Sequence, residues 1–193
     1  PTPGTPGKIL TRRGGFIENI NMFEPGFFGI SPREAANMDP QQRLLLEVAW
    51  EAIEDAGLTR AQLSESTTGV FIGASSSDYS DMQLHVHDSS SLDVYTLPGT
   101  ARSILAGRIS HIFDLKGPSI AVDTACSSSL VAAYLACQSL WRGECDMALV
   151  GGVNIMLTPE SWSVLSLARI ISPEGRARVF DARANGFVRG EGA

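Results

Sequence analysis

The chain has 193 residues, of which 44% are hydrophobic and 19% charged. That balance describes a folded chain with one core of ordinary size and excludes a disordered one. A formal charge of −6 at pH 7 argues against nonspecific binding to nucleic acid or to an anionic membrane, and no apolar run approaches the ~20 residues that span a bilayer.

The elements follow in chain order. Residues 1–38 read as loop, with Phe16, Phe23, Phe27 and Phe28 expected to pack into the core. Asp39-Pro40 starts a helix, an N-cap acid followed by proline at the first helical position. The helix is expected to run to about Ala56 and stop at Gly57. Arg43, Glu47, Glu51 and Asp55 form its wet stripe, with Leu45, Val48, Ala49, Ala52, Ile53 and Ala56 facing inward. The box Met38-Asp-Pro-Gln-Gln-Arg43 is explained by capping alone. Gly69 to Ala74 is an apolar run of strand length, as in a strand buried on both faces. Ser75 to Ser91 reads as polar loop. Its His85 and His87 have no third ligand pattern beside them and are given no metal role.

Pro98 to about Phe113 reads as one helix carrying Ile104, Leu105, Arg108 and Ile109, with His111 meeting the dipole at its end. After a turn at Asp114 to Pro118, Ser119 to Thr124 has the β-branched look of a buried strand. Cys126 to Trp141 reads as a helix with Leu130, Tyr134, Cys137 and Trp141 on one apolar stripe. Met147 to Val153 is another buried strand, whose Gly151-Gly152 permits close backbone approach or an unusual dihedral. Thr158-Pro159-Glu160 then starts a short helix, a cap residue followed by proline. Strands alternating with helices imply an α/β layered fold with a mainly parallel sheet.

Three cysteines without paired spacing suggest no disulfide framework. With no signal-peptide pattern read at the start, a reducing cytoplasm is the expected compartment. Cys137 and Cys145 read as small structural hydrophobes. Cys126 differs, because it sits where a strand turns into a helix. Unpaired backbone N–H groups and the positive end of the helix dipole there favour the thiolate, the nucleophilic form. Ser127, Ser128 and Ser129 are alternative nucleophiles by type but are expected to cap or bond the helix backbone; Asp123 offers a general base or a structural hydrogen bond, and the second is expected.

Val122-Asp-Thr-Ala-Cys-Ser-Ser-Ser-Leu130 resembles the active-site motif of β-ketoacyl synthases, in particular the ketosynthase domains of modular type I polyketide synthases. Arg12-Arg-Gly-Gly-Phe16, Phe27-Phe-Gly-Ile-Ser-Pro-Arg-Glu34, Met38-Asp-Pro-Gln-Gln-Arg-Leu-Leu-Leu-Glu47, Gly69-Val-Phe-Ile-Gly73, Gly151-Gly-Val-Asn154 and Gly186-Phe-Val-Arg-Gly-Glu-Gly192 extend the likeness along nearly the whole chain. The resemblance implies a thiolase-like αβαβα fold, of which residues 1–193 are expected to be an incomplete piece. The first core strand and the C-terminal half of the family's domain are missing from that pattern.

It also implies decarboxylative Claisen condensation. An acyl chain passes from the phosphopantetheine thiol of an acyl carrier protein to Cys126, whose own N–H serves the oxyanion hole. A malonyl-type extender then loses CO2 and attacks the acyl thioester. Two histidines and a lysine that assist decarboxylation belong to the family's second half, and His85, His87 and His111 do not match them. The isolated piece is therefore expected not to complete the reaction. No bound cofactor or metal is implied. The implied partners are the carrier protein, a second copy in a homodimer, and adjoining acyltransferase and other synthase domains. Arg189 and Glu191 read as loop-shaping residues.

Alternatives are a fatty-acid 3-oxoacyl-[acyl-carrier-protein] synthase, a decarboxylase-only relative, and a non-catalytic thiolase-like dimerisation or docking module. A nucleophile-elbow hydrolase would need glycines that Thr124-Ala125 and Ser127-Ser128 do not supply.

Overall fold

The computed structural model describes residues 5–64, 66–84 and 92–193. It divides into two compact units, one of residues 19–154 with Ala193, the other of residues 1–18 with 155–192.

The larger unit is built on three parallel strands, β1 (Thr68–Gly73), β2 (Ser119–Val122) and β3 (Met147–Gly152), in the order β2-β1-β3. Val70 pairs with Ser119 on one side and Leu149 on the other. Because β1 is central, every one of its residues is buried. Its alternating side chains serve both faces. Val70 and Ile72 join a core with Leu45, Leu46, Ile53, Leu105, Ala106 and Ile109. Phe71 points the other way, to Ala132, Ala136 and Cys145. The flanking strands are less covered than expected: Ser119 and Ile120 are exposed and β3 is mostly half-buried, since each has a strand on one side only within the described sheet.

Helix α1 (Pro32–Asn37) is capped by the Ser31 hydroxyl, which accepts from the Glu34 N–H at 3.1 Å. Helix α2 (Pro40–Asp55) starts as expected, with Asp39 Oδ1 accepting from the Gln41 N–H at 2.8 Å and proline at the first position. Ala52 and Ala56, expected inside, are exposed. A short α3 (Arg60–Ser64) follows, and α4 (Asp78–Leu84) occupies part of the stretch read as loop. His85 and His87 lie outside the described residues.

The single helix expected over 98–113 is two, α5 (Thr96–Thr100) and α6 (Ser103–Phe113), with Ala101 extended between them at ψ 127°. The cause is the box at 38–43. The Asp39 N–H donates to the Gly99 carbonyl at 2.8 Å. Gln42, 2% exposed, donates through Nε2 to the carbonyls of Pro98 (3.0 Å) and Gly99 (2.9 Å). Its Oε1 accepts from Arg108 Nε at 2.8 Å, and Arg108 Nη1 reaches Glu34 Oε1 at 2.5 Å. The box therefore ties α2 to α1, α5 and α6, beyond the capping read for it.

Helix α7 (Ser128–Trp141) covers the Phe71 face of the sheet, and its orientation corrects the sequence reading. Leu130 (76% exposed), Tyr134 (61%) and Trp141 (77%) point outward, and Cys137 with them. The inward face is small: Ser128, Ala132, Ala136 and Ser139. A stripe without bulk lets the helix lie close on the strands, which hydrophobicity alone does not reveal. Cys145 is buried as read. Of the four phenylalanines assigned to the core only Phe28 is buried, while Phe16 and Phe27 are more than half exposed.

In the smaller unit, Met156, Trp162 and Ile171 pack with Ile9 and Leu165. Helix α8 (Glu160–Leu167) has Pro159, not Thr158, at its N-cap position. Glu191 accepts from the N–H groups of Ile17 and Met156, both at 2.9 Å, and the Arg189 guanidinium lies 5.2 Å from the Trp162 ring centroid. Both residues thus shape this loop-rich unit.

Two outcomes follow. Gln42→Leu leaves the Pro98 and Gly99 carbonyls and Arg108 short of a partner, so urea denaturation is expected to show a loss of ~1–3 kcal/mol, against ~0.5 kcal/mol or less for exposed Glu51→Gln. Burial raises the Asp39 carboxyl above the usual aspartate range, opposed in part by its bonds from Gln41 and by Arg43. The folded chain then holds that proton more tightly than the unfolded one. The stabilisation is complete below the ordinary aspartate pKa and is lost as pH rises through the raised value. Stability of Asp39→Asn relative to the parent is expected to improve from about pH 3 upward; parallel pH profiles would contradict this.

Candidate active site

The three parallel strands end together at Gly73, Val122 and Gly152. Open α/β sheets characteristically place their sites at this carboxyl edge. The chain leaves β2 at Val122 and reaches α7 through a 3-10 turn, Ala125–Ser127, that contains Cys126. The Cys126 side chain is exposed.

The turn is strained. Ala125, directly before Cys126, has φ 55°, a left-handed conformation that costs an L-residue ~1–2 kcal/mol. Local hydrogen bonds hold it there. Asp123 Oδ1 accepts from the Ala125 N–H at 3.0 Å. The buried Ser128 hydroxyl accepts from the Thr124 N–H at 2.9 Å and donates to the Ala125 carbonyl at 2.6 Å. Ser127 Oγ donates to the Thr124 carbonyl at 2.9 Å. Ser127 and Ser128 thus bond the turn at Thr124 and Ala125 and not the helix backbone expected for them. Ser127 makes no side-chain cap bond to α7, while Asp123 holds the structural hydrogen bond expected of it. The other Asp123 oxygen, Oδ2, is ion-paired with Arg102 at the start of α6.

Two glycines seat this turn on the sheet. A Cβ on Gly73 would lie 2.5 Å from the Ser128 carbonyl carbon and the Ser129 nitrogen. One on Gly152 would lie 2.8 Å from the Ser129 Cβ. Only glycine admits the first turn of α7 so close to the ends of β1 and β3. Gly152 was legible as a close-approach residue. Gly73 was hidden at the end of an apolar run, and Arg102 because its partner lies 21 positions away.

The structure separates Cys126 from the other candidates. Cys137 is exposed but lies mid-helix, where backbone N–H groups are spent on the helix. Cys145 is buried and bonds Ser139 Oγ at 3.4 Å. His111 is exposed in the last turn of α6. Among the described residues no group of three or more His, Cys, Asp or Glu could hold a metal ion, and no helix is long and apolar enough to cross a membrane.

A parallel α/β sheet presenting a cysteine on a strand-to-helix turn accords with the resemblance read from the sequence. The family model described as beta-ketoacyl synthase, N-terminal domain, matches residues 1–193, and the chain belongs to that family. It is 52% identical over 193 residues to a phenolphthiocerol/phthiocerol polyketide synthase of Mycobacterium tuberculosis, covering all of this chain and 12% of that one. Among solved structures it is similar to the oxazolomycin ketosynthase domain OzmH KS7 of Streptomyces albus JA3453, with TM-score 0.90 and 37% identity over 99% of this chain and 33% of that one. It is also similar to a cysteine-to-serine variant of the ketosynthase from module 6 of the bacillaene synthase of Bacillus subtilis 168, with TM-score 0.85 and 43% identity over 95% and 30%. The fold is thus the α/β thiolase-like ketosynthase fold, matched over an N-terminal part.

Gly73→Ala is expected to lower stability by ~1–3 kcal/mol in urea denaturation, since the clash is with backbone and cannot be relieved by a side-chain rotation. An unchanged midpoint would contradict the close seating of α7.

Proposed function

We propose that this chain supplies the nucleophile of a polyketide synthase ketosynthase, and that residues 1–193 are part of that domain. The observation that carries the reading is the exposed Cys126 thiol on the strained turn at the carboxyl edge of the sheet. Relatives that are polyketide synthases and ketosynthase domains support it.

Thioester exchange suits cysteine, which is both a strong nucleophile and an adequate leaving group. The Cys126 sulfur attacks the carbonyl carbon of an acyl thioester borne by the phosphopantetheine arm of an acyl carrier protein. The carbonyl oxygen takes up negative charge. The Cys126 N–H is one donor to it; it precedes the first N–H of the turn that bonds a backbone carbonyl, that of Ser127. The tetrahedral intermediate collapses, the carbon–sulfur bond to the carrier breaks, and the carrier thiol leaves with the proton that Cys126 gave up. A malonyl-type extender on a carrier protein then loses CO2. Its carbanion attacks the acyl carbonyl, and the Cys126 thiolate departs from a β-ketoacyl-carrier product. Neither step transfers electrons to an external acceptor, so no redox cofactor enters. The groups that assist decarboxylation are assigned to no described residue of this chain. The carrier protein, a second copy in a homodimer and adjoining synthase domains are the partners of this reading, with a cytoplasmic setting.

Incubation of the full-length protein with an acyl N-acetylcysteamine thioester is expected to add one acyl mass per chain at this domain, and Cys126→Ala to abolish it. Equal acylation of the variant by intact-mass spectrometry would overturn the reading.

A further inference from the structure

We propose that Arg102 is a positioning residue for acyl transfer, acting through Asp123 on the turn that carries Cys126. The inference rests on the reading of Cys126 as the acyl acceptor.

Arg102 stands at the start of α6, outside the motif around Cys126. Its Nη1 donates to the Ser75 carbonyl at 3.3 Å and pairs with Asp123 Oδ2. Asp123 Oδ1 in turn accepts from the Ala125 N–H at 3.0 Å. A continuous path therefore runs from the segment after β1, through the guanidinium and the carboxylate, to the residue with φ 55°. That residue sets the direction in which the chain enters Cys126. The Asp123 side chain is 42% exposed, so water competes for its oxygens. With one oxygen held by Arg102, the other stays aimed at Ala125. Without Arg102 the carboxylate turns toward solvent and its hold on the left-handed residue weakens.

A half-exposed ion pair contributes little to folding. The role of Arg102 should therefore appear in the reaction and not in stability. The two chemistries open to Cys126 divide the effect. Acyl transfer develops charge on a carbonyl oxygen and needs the Cys126 N–H placed to meet it. Alkylation by iodoacetamide is a displacement at a saturated carbon and develops no such oxyanion.

The experiment uses the full-length protein and its Arg102→Ala and Arg102→Lys variants. It compares single-turnover acylation of Cys126 by an acyl N-acetylcysteamine thioester with alkylation of Cys126 by iodoacetamide, together with the melting temperature. Arg102→Ala is expected to slow acylation ~10-fold or more, with alkylation and melting temperature near those of the parent. Arg102→Lys, which restores a cation but not the planar guanidinium, is expected to fall between. Acylation of Arg102→Ala at the parent rate would overturn the inference. So would a parallel loss of acylation, alkylation and melting temperature, which marks a structural role. If the parent itself is not acylated at Cys126, the reading of that residue fails and this inference with it.

Discussion

The close approach of α7 to the ends of β1 and β3 is the constraint on which the rest of the structure depends. Gly73 and Gly152 leave no room for a side chain between the strands and the first turn of the helix. Ala132 and Ala136 continue the small face over Phe71, and Ser139 meets Cys145 near the helix end. A helix seated this low must be entered by a tight turn from the neighbouring strand. That requirement puts Ala125 into the left-handed region and Cys126 at the exposed carboxyl edge of the sheet.

The opposite face of the sheet supports the same site. The Gln42 amide and Arg108 lock α6 against α2 and the end of α5. That fixes where α6 begins, and Arg102 stands at that point. The polar box at 38–43 and the motif around Cys126 lie far apart in sequence, yet meet through α6: one sets its position, the other receives the side chain at its N-cap. Backbone strain of this kind persists only where the surroundings over-determine it, and here serine hydroxyls, a carboxylate and two strand ends do so.

Much of this was legible in the residues. The apolar run at 69–74 gave the central strand, Asp39-Pro40 the start of α2, and Cys126 its turn, because each depends on local chemistry. The family resemblance was legible from the order and spacing of many motifs together. What could not be read was which face a helix buries when its neighbours demand thinness. Leu130, Tyr134 and Trp141 look like a core stripe by hydrophobicity, but the sheet takes Ala132 and Ala136 because only small side chains permit the approach. The break at Ala101 was equally hidden, since its cause is a glutamine that captures the Pro98 carbonyl from 56 positions away. Long-range polar pairs such as Arg102 with Asp123 leave no periodic signature.

Position on the turn, rather than exposure of a thiol, is the source of reactivity toward acyl thioesters in this reading. Cys126 and Cys137 are both exposed, but Cys137 sits within a helix whose N–H groups are already bonded. The most direct measurement is peptide mapping by mass spectrometry after brief treatment of the full-length protein with a limiting acyl thioester. Acyl mass is expected on the peptide containing Cys126 and none on the peptide containing Cys137. Comparable labelling of the two cysteines would contradict a turn-based origin of the reactivity.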